Sequence, residues 1–394
     1  MTTQAVREYL AHLWNQYHKG TRAIKSEILN EISRNLKVHR KSAIRLMNSR
    51  YAPKSLQGYR GGRLRQYSEE AKTHLAHLWH KMGYMCPIRM KAALPAWLPF
   101  YEHKDCNEGI KEELHAMSES SIKRFLTNER AKLRRKVNTG TRPGLRRFVT
   151  KVPIRNLEDH PKVPGHCEID CVAHCGNTMS GQFAWTLTLT DIATGWTECE
   201  ALWEKTGVGV KKALTHIETR LPFRLKGLYF DNGAEFMNRD IIDVFAVEKR
   251  KAPVPVYRGR PRRKNDQCYV EQKNFTHVRS LFGYGRISWE PAVKMMNAIY
   301  RREWTNLQNF FHPQQQLVEK VRIGAKIVRR MGKPSTPFDK LLPFLDPHEL
   351  RRLAQKKKEI DPIRTRDDQR YKTRKIFNNI KSNYHFSEWG KMAL

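Results

Sequence analysis

The sequence predicts an α/β core that is preceded by all-α modules and followed by a basic C-terminal extension. Between residues 165 and 256, segments of strand-like composition alternate with helical patterns, and before residue 136 the apolar residues recur at helical spacing. A chain of 394 residues is long enough for two to four domains. With 39% hydrophobic residues it can bury a core in each of them.

The net charge is extreme and indicates the class of partner. The chain carries 74 Lys and Arg against 39 Asp and Glu, a formal charge of +35. Binding a small metabolite requires no such field. Binding a polyanion does favour it, because Lys and Arg displace condensed counterions from phosphates. The plain alternative is a basic ribosomal or chromatin-type protein.

The sequence carries no pattern of membrane insertion or secretion. No apolar run approaches the roughly 20 residues of a membrane span, and the first residues lack the apolar centre of a signal peptide. Seven cysteines form an odd set without a disulfide rhythm, which suits a reducing cytosol. We therefore expect a cytoplasmic protein with no membrane partner.

Residues 1–52 are predicted to form a helix-turn-helix module. Three short helical patterns follow one another over residues 4–18, 24–36 and 38–47. In the third, Arg40, Lys41 and Arg45 lie opposite the apolar positions, as expected for a helix that enters a DNA major groove. The alternative is an ordinary three-helix bundle with a solvated basic face.

Residues 67–136 are predicted to form a second helix-turn-helix-like module. The sequence Leu-Ala-His-Leu-Trp at 10–14 recurs at 75–79, which indicates a short internal repeat. Ser118 is a predicted N-cap for a helix that carries Lys123 and Arg124 as candidate DNA contacts. Two such modules in tandem would recognise a longer DNA site than one.

Two basic segments are predicted to be linkers, over residues 53–66 and 137–163. The first is rich in Pro and Gly and contains Arg60 and Arg63, and the second follows Arg134 and Arg135. A solvated charge run is the usual interpretation of such segments. Next to DNA-binding modules, contact with backbone phosphates is the competing interpretation for all four arginines.

The α/β core is predicted at residues 164–300, and residues 301–394 form the basic extension. Strand signals occur at 165–172, 183–190, 197–202, 225–230 and 253–256, with helical patterns around 210–217 and 239–247. Three strands followed by alternating helix and strand resemble an RNase-H-like fold. In that fold the first and fourth strands are adjacent.

Three acidic residues lie on these elements in a suggestive order. Asp170 is in the first strand, Asp231 directly follows the fourth strand, and Glu271 begins a helical pattern. Adjacent first and fourth strands would bring the two aspartates together, while Phe275 and Val278 would turn the Glu271 face of the helix toward the sheet. Such a trio suits Mg²⁺, which prefers a few carboxylate oxygens and keeps its other positions for water and phosphate.

The sequence around these acids resembles the catalytic core of retroviral-integrase-like DDE transposases. Residues 230–236, Phe-Asp-Asn-Gly-Ala-Glu-Phe, are similar to the family's DNGxEF box, and residues 260–274 are similar to the segment around its glutamate. The resemblance is closest to bacterial insertion-sequence transposases and covers roughly residues 164 to 342. The sequence differs from the family pattern at Asp266-Gln267-Cys268, where a sequence similar to Asp-Asn-Ala is expected.

The resemblance implies a Mg²⁺-dependent DNA transposase. Asp170 would bridge two Mg²⁺ (or Mn²⁺) ions, with Asp231 completing one site and Glu271 the other, for strand cleavage and strand transfer. The implied partners are double-stranded DNA, both the transposon ends with their terminal inverted repeats and the target, and further copies of the chain in a dimer or larger assembly at the nucleoid. Two rivals are a catalytically inactive DNA-binding and assembly protein derived from a transposase, and a structure-specific nuclease without strand transfer.

Basic residues next to Glu271 are predicted to contact DNA. Arg guanidinium groups match phosphate oxygens, which favours this role for the cluster before the helix, although a flexible basic loop is the alternative. On the helix itself, Lys273 is predicted to position the DNA end. The cluster consists of Arg258, Arg260, Arg262, Arg263 and Lys264.

Other carboxylates are predicted to have supporting roles. Glu168 shares a strand face with Asp170 and is either a support for it or an exposed strand residue. Asp191 is predicted to close a turn between strands. Glu235 is assigned to the loop after Asp231, and Asp266 to a helix N-terminus, where negative charge is favoured.

The cysteines of the first strand require a separate test as zinc ligands. The spacing of Cys167, Cys171, His174 and Cys175 fits neither paired CxxC ligands nor a His-His-Cys-Cys module. We therefore predict that they pack as small apolar residues. An exposed Cys268 beside a metal site would be prone to oxidation.

Overall fold

A computed structural model describes residues 3–49, 67–132, 162–230, 253–259 and 267–383. It divides the chain into two compact units, residues 1–66 and 67–394. The predicted helix at 239–247 and the two predicted linkers, apart from residues 162–163, lie outside the described residues.

The first unit is a three-helix arrangement, as the apolar spacing predicted. Its core is formed by Leu10, Leu13, Ile28, Leu29, Ile32, Ala43 and Met47. Arg40, Lys41 and Arg45 are exposed on the third helix, as predicted. The helices are α1 (Thr3–Lys19), α2 (Arg22–Asn35) and α3 (Arg40–Met47).

The second unit contains a five-stranded mixed sheet. Its order is β3-β2-β1-β4-β5, with β1–β2 and β2–β3 antiparallel and β1–β4 and β4–β5 parallel. The adjacency of the first and fourth strands is therefore confirmed. The strands are β1 (His166–Ala173), β2 (Trp185–Asp191), β3 (Thr197–Leu202), β4 (Gly227–Phe230) and β5 (Val256–Arg258).

The last strand begins later than predicted. The prediction placed it at 253–256, whereas β5 starts at Val256. Pro253 and Pro255 have no backbone N–H to donate to a ladder, which accounts for the late start. The Pro255 carbonyl still accepts a hydrogen bond from the Leu228 amide at 2.9 Å, so the approach to β5 stays aligned with β4.

One face of the sheet packs on α9 (Gly207–Glu218). The helix buries Val210, Ala213, Leu214 and Ile217, the positions that its spacing predicted. They pack with apolar residues of β1, β2 and β4 in one hydrophobic cluster. Thr206 caps the helix by accepting a hydrogen bond from the Gly209 amide at 3.1 Å.

The helices before the sheet share one hydrophobic core with the helices after it. Trp97 donates to the Phe311 carbonyl at 3.1 Å, and Lys81 pairs with Asp367 at 2.6 Å. The helices before the sheet are α4 (Glu69–Lys81), α5 (Pro87–Trp97), α6 (Glu108–Ala116), α7 (Glu119–Phe125) and α8 (Thr127–Lys132). The predicted module at 67–136 therefore belongs to the same compact unit as the core. Residues on both sides of the predicted boundary at residue 300 pack in the same hydrophobic cluster.

Two long helical segments lie behind the sheet and contain wider π-helical turns. The first is α10 (Cys268–Lys273), which continues through a π-helical stretch, Asn274–Arg279, to Ser280–Phe282. The second is α11 (Pro291–Ile299), which continues through the π-helical stretches Tyr300–Trp304 and Leu307–Phe311.

Up to residue 383, where the described residues end, the C-terminal part contains a hairpin and three α-helices. The strands of the hairpin are β6 (Leu317–Ile323) and β7 (Lys326–Met331). The helices are α12 (Pro337–Leu341), α13 (Pro347–Glu359) and α14 (Pro362–Asn383). Among the described helices, none combines the length and the apolar composition that crossing a bilayer requires.

Candidate active site

Two carboxylates of β1 point to the same side of the sheet, because residues two apart in a strand share a face. Glu168 is fully buried and accepts a hydrogen bond from the backbone N–H of Val270 at 2.9 Å. Asp170 is half-buried; one oxygen accepts from the Cys171 amide at 2.7 Å and the other from the Asn274 side-chain amide at 2.5 Å. Both carboxylates therefore hold the helix that carries Glu271.

Two alternatives were predicted for Glu168, a supporting residue or an exposed strand residue, and its contacts show a supporting residue. Its partner, Val270, lies in the first turn of α10, where backbone N–H groups have no intrahelical acceptor and the helix dipole is positive. A buried carboxylate at this place satisfies one of those donors and fixes the start of the helix on β1. The alternative of an exposed strand residue is wrong.

Glu271 lies in the first turn of α10, on the part of the helix that contacts β1. Its neighbours in sequence, Val270 and Asn274, bond to Glu168 and Asp170 respectively. Because Asn274 is one turn after Glu271, the two share a helix face. Asp170 lies on the central strand, and the hydrogen bonds of Val270 and Asn274 hold the helix that carries Glu271 against that strand.

The orientation predicted for Glu271 requires a correction. Phe275 is 56% exposed while Val278 is fully buried, so the two do not share one apolar face, and Glu271 itself is exposed. The reason is the π-helical stretch that starts at Asn274, because its i to i+5 bonding changes the angular position of each later residue. Glu271 is thus accessible from outside the fold.

Asp231 lies outside the described residues, as do Glu235 and Asp266. It is the next residue in the chain after Phe230, the last residue of β4, which pairs with Ile169 of β1. Asp170 follows Ile169. The parallel register therefore places the end of β4 beside Ile169 in the middle of β1, the residue before Asp170.

Lys273 does not occupy the position predicted for it. Its side chain is buried and donates to Gln314 Oε1 at 2.5 Å rather than facing outward. Burial, followed by the nearby charges of Arg89 and Lys340, lowers its pKa to about 7. In this arrangement the buried Lys273 side chain joins α10 to the segment after residue 312.

The other predicted DNA contacts divide between described and undescribed parts. Lys123 and Arg124 are exposed on α7, whose N-cap Ser118 accepts from the Ser121 amide at 3.1 Å, as predicted. In the first unit Arg40 is tied to α2 through a bond to Ser26 Oγ at 3.0 Å. The remaining predicted contacts, which lie outside the described residues, are Arg60, Arg63, Arg134, Arg135, Arg260, Arg262, Arg263 and Lys264.

Asp191 closes the turn between β2 and β3, as predicted. Its carboxylate accepts from the Thr194 amide at 2.8 Å, the Thr194 hydroxyl at 2.6 Å and the Gly165 amide at 2.8 Å. Burial raises the pKa of Asp191 to about 6, and these hydrogen bonds oppose the rise.

The cysteines and histidine near β1 lie in packed surroundings. Cys167 is buried in the cluster beneath the sheet, and Cys175 packs with Ala173 and Phe183. His174 is buried against Thr186, 2.8 Å from its hydroxyl, and burial lowers its pKa to about 3, so the ring is neutral. Within the described ranges no three His, Cys, Asp or Glu side chains converge as metal ligands. Cys268 is exposed.

A buried charge network on β3 was not predicted. Glu198 and Glu200 are almost completely buried, and Arg220, just after α9, lies 3.3 Å from the first and 3.1 Å from the second. Arg301, from the helical segment behind the sheet, also pairs with Glu200. The alternation of Glu with small residues in Thr-Glu-Cys-Glu-Ala resembles an exposed strand face, and only tertiary packing shows that both carboxylates are covered.

Comparison with known proteins gives one relative in sequence and distant similarities in structure. No protein-family model matches the chain. The "Uncharacterized protein y4rM" of Sinorhizobium fredii is 35% identical over 340 residues, which cover 84% of this chain and 93% of that protein.

Two solved structures are similar to the chain over less than half of its length. The catalytic core domain of BIV integrase is 15% identical with a TM-score of 0.28, over 46% of this chain and 95% of that one. A chain of the simian T-cell lymphotropic virus intasome, in complex with PP2A regulatory subunit B56 gamma, is 15% identical with a TM-score of 0.26. That match covers 45% of this chain and 56% of the other. Strand order and register, rather than these similarities, define the fold.

Proposed function

We propose that the chain, which belongs to the same family as the Sinorhizobium fredii protein y4rM, is a DNA transposase with an RNase-H-like DDE core. It binds the terminal inverted repeats of an insertion sequence and catalyses metal-dependent strand cleavage and strand transfer. The observation that carries the proposal is the pair of bonds between β1 and α10, Val270 to Glu168 and Asn274 to Asp170. They bring the elements of two predicted catalytic acids together.

The strand order supports the proposal. The strands β1, β2 and β3 are antiparallel neighbours. β4 pairs in parallel with β1, and β5 pairs in parallel with β4, so β1 is the central strand, as the sequence of elements led us to expect. In this sheet the end of β4 lies beside the middle of β1, where Phe230 pairs with Ile169. Asp170 follows Ile169 and Asp231 follows Phe230, so the two aspartates are proposed to face one substrate.

The residues fit a divalent cation by their donor chemistry. Asp170 accepts an N–H on each oxygen, and Glu271 is an exposed carboxylate on the helix whose Asn274 donates one of these bonds. Asp170, Asp231 and Glu271 would hold two Mg²⁺ ions. When bound, the ions lower the pKa of an attacking water and neutralise the leaving oxygen. No Ser or Tyr nucleophile is required.

The protein's own residues orient the site and attract the substrate. Glu168 fixes the start of α10. Asn274 orients the Asp170 side chain by donating a hydrogen bond to Asp170 Oδ2. The net charge of +35 draws DNA phosphates to the surface through counterion release. The exposed cations of α3 and α7, together with the basic segment before α10, are proposed to hold the duplex, and the assembly on DNA is proposed to be a dimer or larger.

The test uses the full-length chain, labelled duplex that carries a terminal repeat, and Mg²⁺ or Mn²⁺. We expect metal-dependent nicking at the repeat boundary that is lost in Asp170→Asn, Asp231→Asn and Glu271→Gln. Asp368→Asn, an exposed carboxylate of α14, serves as the matched control and should cleave normally. Tight binding without cleavage under either metal would replace the enzyme by a DNA-binding and assembly protein.

A further inference from the structure

The hairpin of β6 and β7 is the most exposed regular structure in the described part of the chain. Every residue of both strands is exposed, including seven large apolar side chains from Leu317 to Met331. A two-stranded hairpin without a covering layer is at best marginally stable in water. Its apolar and charged surfaces are therefore expected to have a partner.

The base of the hairpin is firmly anchored. Gln314 and Ser335 exchange two backbone hydrogen bonds, at 2.8 and 3.2 Å, and the Gly332 amide donates to the Gln316 carbonyl at 2.9 Å. The Gln316 side chain in turn donates to the carbonyls of the β2–β3 turn, at 3.3 Å to Ala193. The hairpin thus leaves the second unit from a fixed point.

The same base is joined to the helix of the candidate active site. Gln314 Oε1 accepts a hydrogen bond from Lys273, two residues after Glu271. From the opposite side, Arg89 donates to the Pro313 carbonyl at 2.5 Å. These contacts give the buried Lys273 a role: it couples the position of the hairpin to the position of α10.

The pairing register divides the hairpin into two faces. Residues directly opposite one another in an antiparallel pair share a face. Lys320 lies opposite Arg329 and Arg322 opposite Ile327, so one face gathers three cations. The other face carries the pair Val321 and Val328, flanked by Glu319 opposite Arg330 and Ile323 opposite Lys326.

The charge of the hairpin selects a polyanionic partner. The two strands contain five cations (Lys320, Arg322, Lys326, Arg329 and Arg330) and one acid, Glu319. Only Arg330 approaches that acid, at 4.0 Å between exposed side chains, which contributes little. Like charges directly opposite in a sheet, as at Lys320 and Arg329, destabilise the free hairpin. Phosphates would remove that cost.

The dimensions match a DNA groove. Seven residues of β6 extend roughly 20 Å at about 3.3 Å per residue, and the two strands lie about 4.8 Å apart. The major groove of B-DNA is about 12 Å wide and admits a two-stranded ribbon. We propose that residues 317–331 form a DNA-binding arm that lies in the major groove of duplex DNA, with Lys320, Arg322 and Arg329 on the phosphates. This inference rests on the proposed function, because the DNA that the arm binds is the DNA held at the candidate active site.

The experiment measures duplex binding by fluorescence anisotropy in EDTA, so that cleavage does not enter. It compares the full chain with the triple variant Lys320→Gln/Arg322→Gln/Arg329→Gln across about 50 to 200 mM salt. The slope of log K against log[salt] should become shallower by about 2.7, or 0.9 for each of three lost phosphate contacts. The matched control, Lys104→Gln/Lys212→Gln/Lys358→Gln, removes the same charge from exposed sites elsewhere and should retain the wild-type slope.

Each other outcome overturns the arm. If the control variant lost the same amount of slope, the change would come from the lower net charge of the protein and not from the hairpin. An unchanged slope in the arm variant, with wild-type binding intact, would remove the arm and leave the proposed function standing. If Val321→Thr/Val328→Thr breaks an oligomer in sedimentation while the arm variant binds DNA normally, the hairpin docks on another protein chain instead. A wild-type chain that binds no duplex would overturn the arm and the proposed function together.

Discussion

The charge network on β3 allows the effect of Arg220→Ala on the free energy of unfolding to be predicted. Arg220 is the cation shared by two buried carboxylates, 3.3 Å from Glu198 and 3.1 Å from Glu200. Its replacement in Arg220→Ala leaves Glu200 with Arg301 as a cationic partner. Glu198 keeps hydrogen bonds from two neutral donors, Trp196 at 3.1 Å and Thr305 at 3.3 Å.

The expected cost is large because the charge that remains is desolvated. Removing one partner of a buried ion pair costs about 3–5 kcal/mol, whereas exposed pairs contribute about 0–1 kcal/mol. Glu198 is 1% exposed and Arg220 about 20%, so the buried case applies to the carboxylate that is left. We expect the free energy of unfolding of the second unit to fall by about 3 kcal/mol or more at pH 7 in Arg220→Ala.

The loss should depend on pH in a defined direction. Burial already raises the pKa of Glu198, and the charge of Arg220 is the strongest influence that opposes this rise. Without Arg220 the folded-state pKa rises further above its unfolded value. A carboxyl of this kind stabilises the fold below its unfolded pKa and loses that contribution as the pH rises through the folded pKa. The deficit of Arg220→Ala relative to wild type should therefore shrink as the pH falls from 7 toward about 4.5.

The assay is urea unfolding followed by tryptophan fluorescence at several pH values. Arg224→Ala is the matched control, since Arg224 is exposed and only four residues away, and it should cost less than about 0.5 kcal/mol. Adding Glu198→Gln to Arg220→Ala should restore part of the stability, because the stranded charge is then removed. A deficit no greater than that of the control, or one that is constant with pH, would refute the reasoning.

Three further outcomes are expected. Glu168→Ala leaves the buried Val270 amide without its 2.9 Å acceptor, which costs about 1–3 kcal/mol and should raise hydrogen exchange at the start of α10; unchanged exchange would contradict the anchoring role. Asp191, whose pKa is raised to about 6 from an ordinary 3.8, should stabilise the fold by about 3 kcal/mol below pH 3.8 and lose this as the pH rises through 6. Comparison of wild type with Asp191→Asn by urea unfolding at both ends of that window tests it, and parallel profiles would reject it. Ser118→Ala removes the cap of α7 and should lower stability by about 1 kcal/mol, with Ser118→Asp close to wild type; equal losses in both would show that capping is not the cause.

Local patterns were sufficient to predict most of the regular structure near the site. The spacing of Val210, Ala213, Leu214 and Ile217 specified both α9 and its buried face. The strands at 166–173, 185–191 and 197–202 follow from β-branched and apolar runs bounded by turn residues. These predictions succeed because hydrophobic periodicity directly records which side of an element is covered.

Predictions about side-chain environment were less successful. Lys273 has the sequence context of a DNA contact, yet it is buried on Gln314. Phe275 and Val278 were expected to share one buried face, but Phe275 is exposed and Val278 is buried, because the π-helical stretch changes their relative angular positions. Neither outcome is encoded in a local pattern, because both depend on which distant segment packs against α10.

The sequence by itself determined the order of elements, the charge that favours nucleic acid, and the three acidic positions expected at one site. Only the tertiary structure decided that Asn274 and Glu168 hold α10 on β1, that two glutamates of β3 are buried, and that the basic hairpin is uncovered. The physical reason is that charge and periodicity belong to each residue and its neighbours in the chain. Burial and hydrogen bonding belong to pairs of residues that the fold brings together from a hundred positions apart.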